Sequence, residues 1–231
     1  MPCFLTGLGF SQSLSSVNSI PSFSFCHQAG HIAAALYSVK RADLFNEKFI
    51  AFHLSGGTTE CLLVEPDDER IIKITKIAGS LDLKAGQAVD RVGVAMGLEF
   101  PAGRHMEELA LKSHAKFKIK PVLKGLDCCL SGIENQSLKK LSDGVSKEDV
   151  AKFCLLSIYA ALDAMTSAVT EKYGDLPLVY AGGVMSNSII KNLITKKYPK
   201  AMFAEPQFSA DNAAGIALLT EMRFRRNAHN A

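Results

Sequence analysis

Two short stretches constrain this chain more than any others: "FHLSGG" at residues 52–57 and "LVYAGG" at residues 178–183. Each is an apolar run of strand length closed by a glycine pair. Backbone without a Cβ lets its N–H groups come closer to a ligand than any larger residue allows, so such a turn suits phosphate. A glycine pair also ends a strand for conformational reasons alone. The repetition points to phosphate and predicts an α/β fold in which two turns, one from each of two lobes, face one nucleotide across a cleft.

The rest of the chain can be read around those strands. Residues 7–19 predict a weakly amphipathic helix, and "IPSFSFCH" an extended lead into a second. "TTECLLVEPDDERIIKITKIAG" predicts a hairpin turning at Pro66, Asp67 and Asp68. Val89, Val92, Ala95 and Met96 keep helical spacing, and a further helix begins near Arg104. The polar, lysine-bearing stretch 112–126 predicts a boundary between an N-terminal lobe, 1–125, and a C-terminal lobe, 126–231. The longest helix starts after Ser146, with Asp149 close to a capping-box position, and runs to Gly174. A helix from Asn187, a short strand in "AMFAEP" and a last helix with Asp211 as its N-cap complete the order.

"FCHQAGHIAAAL" places His27 and His31 four apart at the head of an apolar helix. On a helix such residues share one face with Cβ atoms ~6 Å apart, so the two imidazoles can reach one cation. The residue after the first histidine is Gln28 rather than glutamate, which removes the local general base of a zinc peptidase. Asp211, at a strand-to-helix junction, is the candidate third ligand. The bland alternatives remain open at this level: one histidine at a helix start, one on a polar face, and Asp211 as a cap only.

Composition narrows the function classes. The net charge of +3 is too small to argue nucleic-acid binding by itself, although lysines cluster at Lys112, Lys116, Lys118, Lys120 and Lys124 and again at Lys196, Lys197 and Lys200. These clusters, and the basic tail "RFRRNAHNA", read as solvated faces or as a hold for a polyanion. Six cysteines without CxxC spacing fit a reducing compartment and no disulfides. The opening carries no basic leader or small-residue cleavage site, and no apolar run approaches a bilayer span, so the expectation is cytoplasmic.

Six stretches in order resemble one family, the tRNA threonylcarbamoyladenosine transferases, TsaD-like proteins also called glycoproteases or O-sialoglycoprotein endopeptidases. They are "HQAGHIAAAL", "LSGGTTECLL", "DLKAGQAVDRVGVAMGLEFPAG", "CLSGIENQ", "YAGGVMSNSII" and "SADNAAGIALL". The resemblance implies a two-lobed actin-like, sugar-kinase-like (ribonuclease H-like) fold with nucleotide in the cleft. It implies an acyltransferase that moves a threonylcarbamoyl group from threonylcarbamoyl-AMP to an anticodon-loop adenosine of tRNA. His27, His31 and Asp211 then match the family's iron or zinc ligands. Leu54, Ser55, Gly56 and Gly57 match the loop that holds the activated intermediate, and Asp90, Gly103 and Asn187 match nucleotide or substrate contacts. Gly182 and Gly183 form the second glycine turn. A TsaB-like dimer partner and an ATPase subunit are implied as well.

The match has departures. The family opens with a strand and turn resembling "GIETSCDDT", which has no counterpart here, so the first lobe is expected to be incomplete. Thr58 stands where the family has histidine after Ser-Gly-Gly, and Ala102 where its Pro-Gly-Gly has the first glycine. Those departures keep a rival open: a non-catalytic relative acting as a nucleotide- or metal-binding scaffold subunit. A metallopeptidase is motivated only by the histidine pair and the older family label.

Overall fold

The computed structural model describes residues 2–209 and 213–229. Among the described residues seven strands form in chain order: β1 (Phe49–Leu54), β2 (Thr59–Asp67), β3 (Ile71–Gly79), β4 (Leu123–Lys124), β5 (Asp127–Cys128), β6 (Leu178–Ala181) and β7 (Met202–Phe203). Five of them make one mixed sheet in the order β3-β2-β1-β6-β7, and β4 and β5 pair as a small separate ribbon. β1 runs antiparallel to β2 but parallel to β6. Strands from both sides of residue 125 therefore share one sheet. The expected hairpin forms, but it turns at residues 68–70 rather than at Pro66, Asp67 and Asp68, because Pro66 and Asp67 still pair with Ile72 and Ile71. The Asp67 carboxylate accepts from the N–H groups of Glu69 (3.0 Å) and Arg70 (2.6 Å).

Every residue of β1 is buried, as a central strand covered on both faces must be. Its period-2 alternation sends Ile50, Phe52 and Leu54 into one core and Phe49 and Ala51 into the other. The first core is roofed by α3 (Ala85–Ala95), α4 (Gly103–Lys112), α5 (Ser131–Ser142), α6 (Lys147–Tyr173) and α7 (Ser188–Lys197), in the numbering that follows α1 (Pro2–Asn18) and α2 (His27–Ser38). The second is covered by α2 and α9 (Ala213–His229), which follows the one-turn α8 (Pro206–Ser209). α6 is long and apolar enough to cross a bilayer by length and composition alone; here it is the central helix of the first core, with Val150, Cys154, Leu155, Ile158 and Met165 buried.

An aromatic ladder fixes the parallel register. Tyr180 stacks between Phe52 (ring centroids 5.0 Å) and Phe203 (5.1 Å), and its hydroxyl lies 3.0 Å from the Thr166 hydroxyl. That register brings the end of β6 against the end of β1. The two glycine turns, expected to face a ligand from separate lobes, instead sit side by side at the carboxyl ends of neighbouring parallel strands. The carboxyl ends of the parallel strands are the usual ligand-binding place in open α/β sheets.

Two further loops are tied down by side chains. Asp82, just beyond β3, accepts from Leu83 N–H (2.6 Å), Leu130 N–H (2.7 Å), Ser131 N–H (3.2 Å) and the Ser131 hydroxyl (2.6 Å), and so caps α5 from a distance in sequence. Burial opposes its ionised form, but the hydrogen bonds outweigh that and hold the carboxyl down at about 2. A carboxylate below its ordinary 3.8 contributes stability that is present above that value and lost as pH falls through about 2. Asp82→Ala is expected to cost about 1–2 kcal/mol in urea unfolding at neutral pH. Asp82→Asn should flatten the acid limb between pH 4 and 2; an unaltered limb would contradict this assignment. The basic tail is also not simply solvated: Arg226 and Arg223 donate to the carbonyls of Asp67 (3.0 Å) and Asp68 (2.6 Å) in the hairpin turn.

Candidate functional site

The carboxyl ends of β1 and β6, with the starts of α3, α4 and α7, enclose a cleft of about 380 Å³. Its walls include Gly56, Asp90, Gly103, Glu107, Gly183 and Asn187. Five residues singled out from the sequence thus share one cavity. Leu54 is buried at the end of β1 behind it, and Gly57 is exposed at the tip of the first glycine turn. Ser55 builds that turn: its N–H donates to the Thr58 carbonyl (2.8 Å), its hydroxyl accepts from Thr58 N–H (3.1 Å), and its carbonyl accepts from Gly86 N–H at the head of α3 (3.2 Å). Thr58 therefore closes the loop through its backbone. The N–H groups of Gly56 and Gly57 donate to no acceptor among the described residues.

Gly182 holds the second turn against the first. Its φ is +97°, and a Cβ there would lie 2.1 Å from the Leu54 carbonyl oxygen. No other residue type fits this backbone at this separation.

Two carboxylates anchor the helices around the cleft. Asp90, on α3, accepts from Ala102 N–H (2.8 Å) and so holds the entry to α4. Ala102 is tolerated where the family pattern has glycine because Gly93 faces it: a Cβ on Gly93 would come within 2.3 Å of the Ala102 methyl. Glu107, on α4, accepts from Asn187 Nδ2 (3.1 Å), from Ser188 N–H (2.9 Å) and from the Ser188 hydroxyl. A carboxylate at the first turn of α7 is favoured by the helix dipole. Asn187 itself is the α7 N-cap, accepting from Ile190 N–H (3.1 Å). Nothing local in the sequence singles out Glu107; its position one turn after Gly103 is the only signal.

The histidines occupy the same end of the sheet on its other face. His27 and His31 Nε2 atoms are 3.0 Å apart. Nitrogens at that separation are close enough for both to reach one cation at ordinary bond lengths of ~2.1 Å. His53, which the sequence reading missed, lies on β1 with its ring centroid 4.8 Å from that of His31. Burial, then the neighbouring His31, push its pKa down to about 4 against the pull of Glu60, so it is neutral near pH 7 and adds no charge to repel a cation. Among the described residues no group of three His, Cys, Asp or Glu side chains is arranged to hold a metal. Asp211 lies outside the described residues. The first described turns of α9 do pack on the histidine helix: a Cβ on Gly215 would lie 1.8 Å from the Gly30 carbonyl oxygen, between His27 and His31 in sequence. Cys26, Cys61, Cys128, Cys129 and Cys154 are free thiols, and burial raises Cys128 to about 11 and Cys154 to about 12.

Known proteins similar to this chain point to one family. The family model for TsaD, tRNA N6-adenosine threonylcarbamoyltransferase, matches residues 1–218. A relative so named from Oenococcus oeni is 29% identical over 234 residues, covering 96% of this chain. The chain spans 65–66% of the length of the curated relatives it matches. Among solved structures, T. kodakarensis HypF superposes with a TM-score of 0.73 at 13% identity over 95% of this chain and 39% of that one. Full-length HypF in its phosphate- and nucleotide-bound form gives 0.65 at 13% identity over 81% and 40%. At these identities the likeness is one of fold, the α/β actin-like class. The match of the family model across nearly all of the sequence shows that this chain belongs to the tRNA N6-adenosine threonylcarbamoyltransferase (TsaD) family.

Proposed function

We propose that the chain works in the transfer of a threonylcarbamoyl group from threonylcarbamoyl-AMP to the exocyclic amine of an adenosine in a tRNA anticodon loop. The observation that carries this reading is the single cleft that gathers Gly56, Asp90, Gly103, Gly183 and Asn187 at the ends of β1 and β6. In this role the open N–H groups of Gly56 and Gly57 donate to the phosphate of the bound adenylate, stabilising its charge as AMP leaves. Asp90 and Glu107 act at one remove, fixing the helix starts that wall the cleft. The adenosine amine attacks the carbamoyl carbon, the bond to the phosphate oxygen breaks, AMP departs with the bonding electron pair, and the amine gives up one proton to solvent. A base in an unpaired loop reaches such a cleft without melting a duplex.

His27, His31 and Asp211 would hold one divalent metal, iron or zinc, the imidazole Nε2 atoms of the pair lying 3.0 Å apart. When bound it would supply Lewis-acid polarisation of substrate oxygens. A TsaB-like partner and an ATPase subunit would complete the assembly, in the cytoplasm where tRNA is modified. The test is a transfer assay with this chain, its partner subunits, synthetic threonylcarbamoyl-AMP and tRNA. Modified adenosine in the digested tRNA is the expected result. Absence of transfer by folded, metal-loaded chain that still binds AMP would overturn the reading and leave a binding subunit.

A further inference from the structure

Between α4 and β4 the chain runs through residues 113–122 without helical or sheet structure. Its burial alternates strictly at first: Ser113, Ala115, Phe117 and Ile119 face inward, while His114, Lys116, Lys118 and Lys120 are exposed. Alternation of this kind marks an extended segment. At 3.3–3.4 Å per residue, successive outward lysines are about 6.7 Å apart and the three span about 13 Å. No aspartate or glutamate occurs from Ala110 to Leu126. None of Lys112, Lys116, Lys118, Lys120 and Lys124 forms an ion pair among the described residues.

The inward side is anchored. The Ser113 hydroxyl donates to Asp149 (2.6 Å), and Lys152 donates to the Ser113 carbonyl (2.7 Å). Phe117 packs edge-on against Phe153 at 5.4 Å, with the Lys140 ammonium over both rings. Cys129 N–H donates to the Val122 carbonyl (3.2 Å). A cationic row with a regular stride, no competing acid and a backbone pinned to α6 and the β4–β5 ribbon differs from a solvated loop in that its charges are held in line. It leaves α4, whose other end forms the cleft wall at Gly103.

We propose that Lys116, Lys118 and Lys120 form a rail that binds the sugar–phosphate backbone of RNA whose loop base enters the cleft. The row reads no base edge; it positions the strand. The choice of RNA over other polyanions rests on the proposed transfer function, and the test below keeps the two separable.

The full-length chain is titrated against a fluorescein-labelled stem-loop RNA with adenosines in its loop, at salt from 50 to 200 mM. Lys116→Ala/Lys118→Ala/Lys120→Ala is expected to weaken binding at least about tenfold and to reduce the slope of log K against log salt by about 2–3, at roughly 0.7–0.9 for each phosphate no longer neutralised. A control with the same charge change, Lys191→Ala/Lys196→Ala/Lys200→Ala, is expected to shift affinity less than about threefold. AMP binding should be unchanged in both. Equal losses in the two triples, an unchanged slope in the rail variant, or native chain that binds anionic vesicles or an acidic peptide but not the RNA would overturn the rail. Loss of AMP binding in native chain with the rail effect intact would sink the transfer reading and leave the rail standing.

Discussion

Gly182→Ala is expected to destabilise the chain by about 4 kcal/mol, combining left-handed backbone strain with overpacking. The new methyl would meet the Leu54 carbonyl oxygen at 2.1 Å and the His53 ring at 3.0 Å, with φ at +97°. Neither neighbour can yield cheaply: Leu54 is held in the β1–β2 ladder, and His53 is packed beside His31. The strain falls on the seam that carries both glycine turns, so AMP affinity should drop even in the fraction that stays folded. Urea unfolding monitored by circular dichroism measures the first effect, and calorimetric titration with AMP the second. A cost below about 1 kcal/mol would mean that β1 and β6 do not approach as described.

The second large effect concerns the metal. His27→Ala and His31→Ala are each expected to lower affinity for zinc or ferrous iron by more than about a hundredfold, beyond the 10- to 100-fold typical of losing a group that only supports a ligand. Asp211→Ala should do the same if the carboxylate joins the pair. Metal content by elemental analysis after dialysis against a weak chelator gives the readout without any appeal to activity. Excess zinc at 100 times its dissociation constant should raise unfolding free energy of the native chain by about 2.7 kcal/mol and leave the histidine variants unmoved. Retention of stoichiometric metal by both histidine variants would place the centre elsewhere.

Much of this architecture can be read from residues. β1 and β6 are legible because each apolar run is bounded by a glycine pair, and the Ser146 cap and Gly174 stop delimit α6 as expected. Their neighbourhood in one sheet is not legible. A parallel pairing between distant segments leaves no local mark, and the Phe52–Tyr180–Phe203 ladder that sets it uses aromatics that any buried strand would carry. The histidine pair is visible through helical spacing, whereas His53 is hidden in an apolar strand and emerges only when the strand's two faces are counted separately. Glu107 is invisible for another reason: its partners, Asn187 and Ser188, belong to a helix the sequence cannot place beside α4. The lysine row is visible as charge but not as geometry, since its meaning depends on Phe117 finding Phe153.

The last helix is gripped at two points. Near its start Gly215 seats on Gly30 beneath the paired imidazoles, and toward its end Arg223 and Arg226 hook the bend joining β2 to β3. A rod fastened in this way cannot slide or roll independently of the hairpin. Trimming or loosening the arginine end would therefore be felt about two to three turns away, where the seat beneath the histidines would lose its alignment without any ligand having been touched.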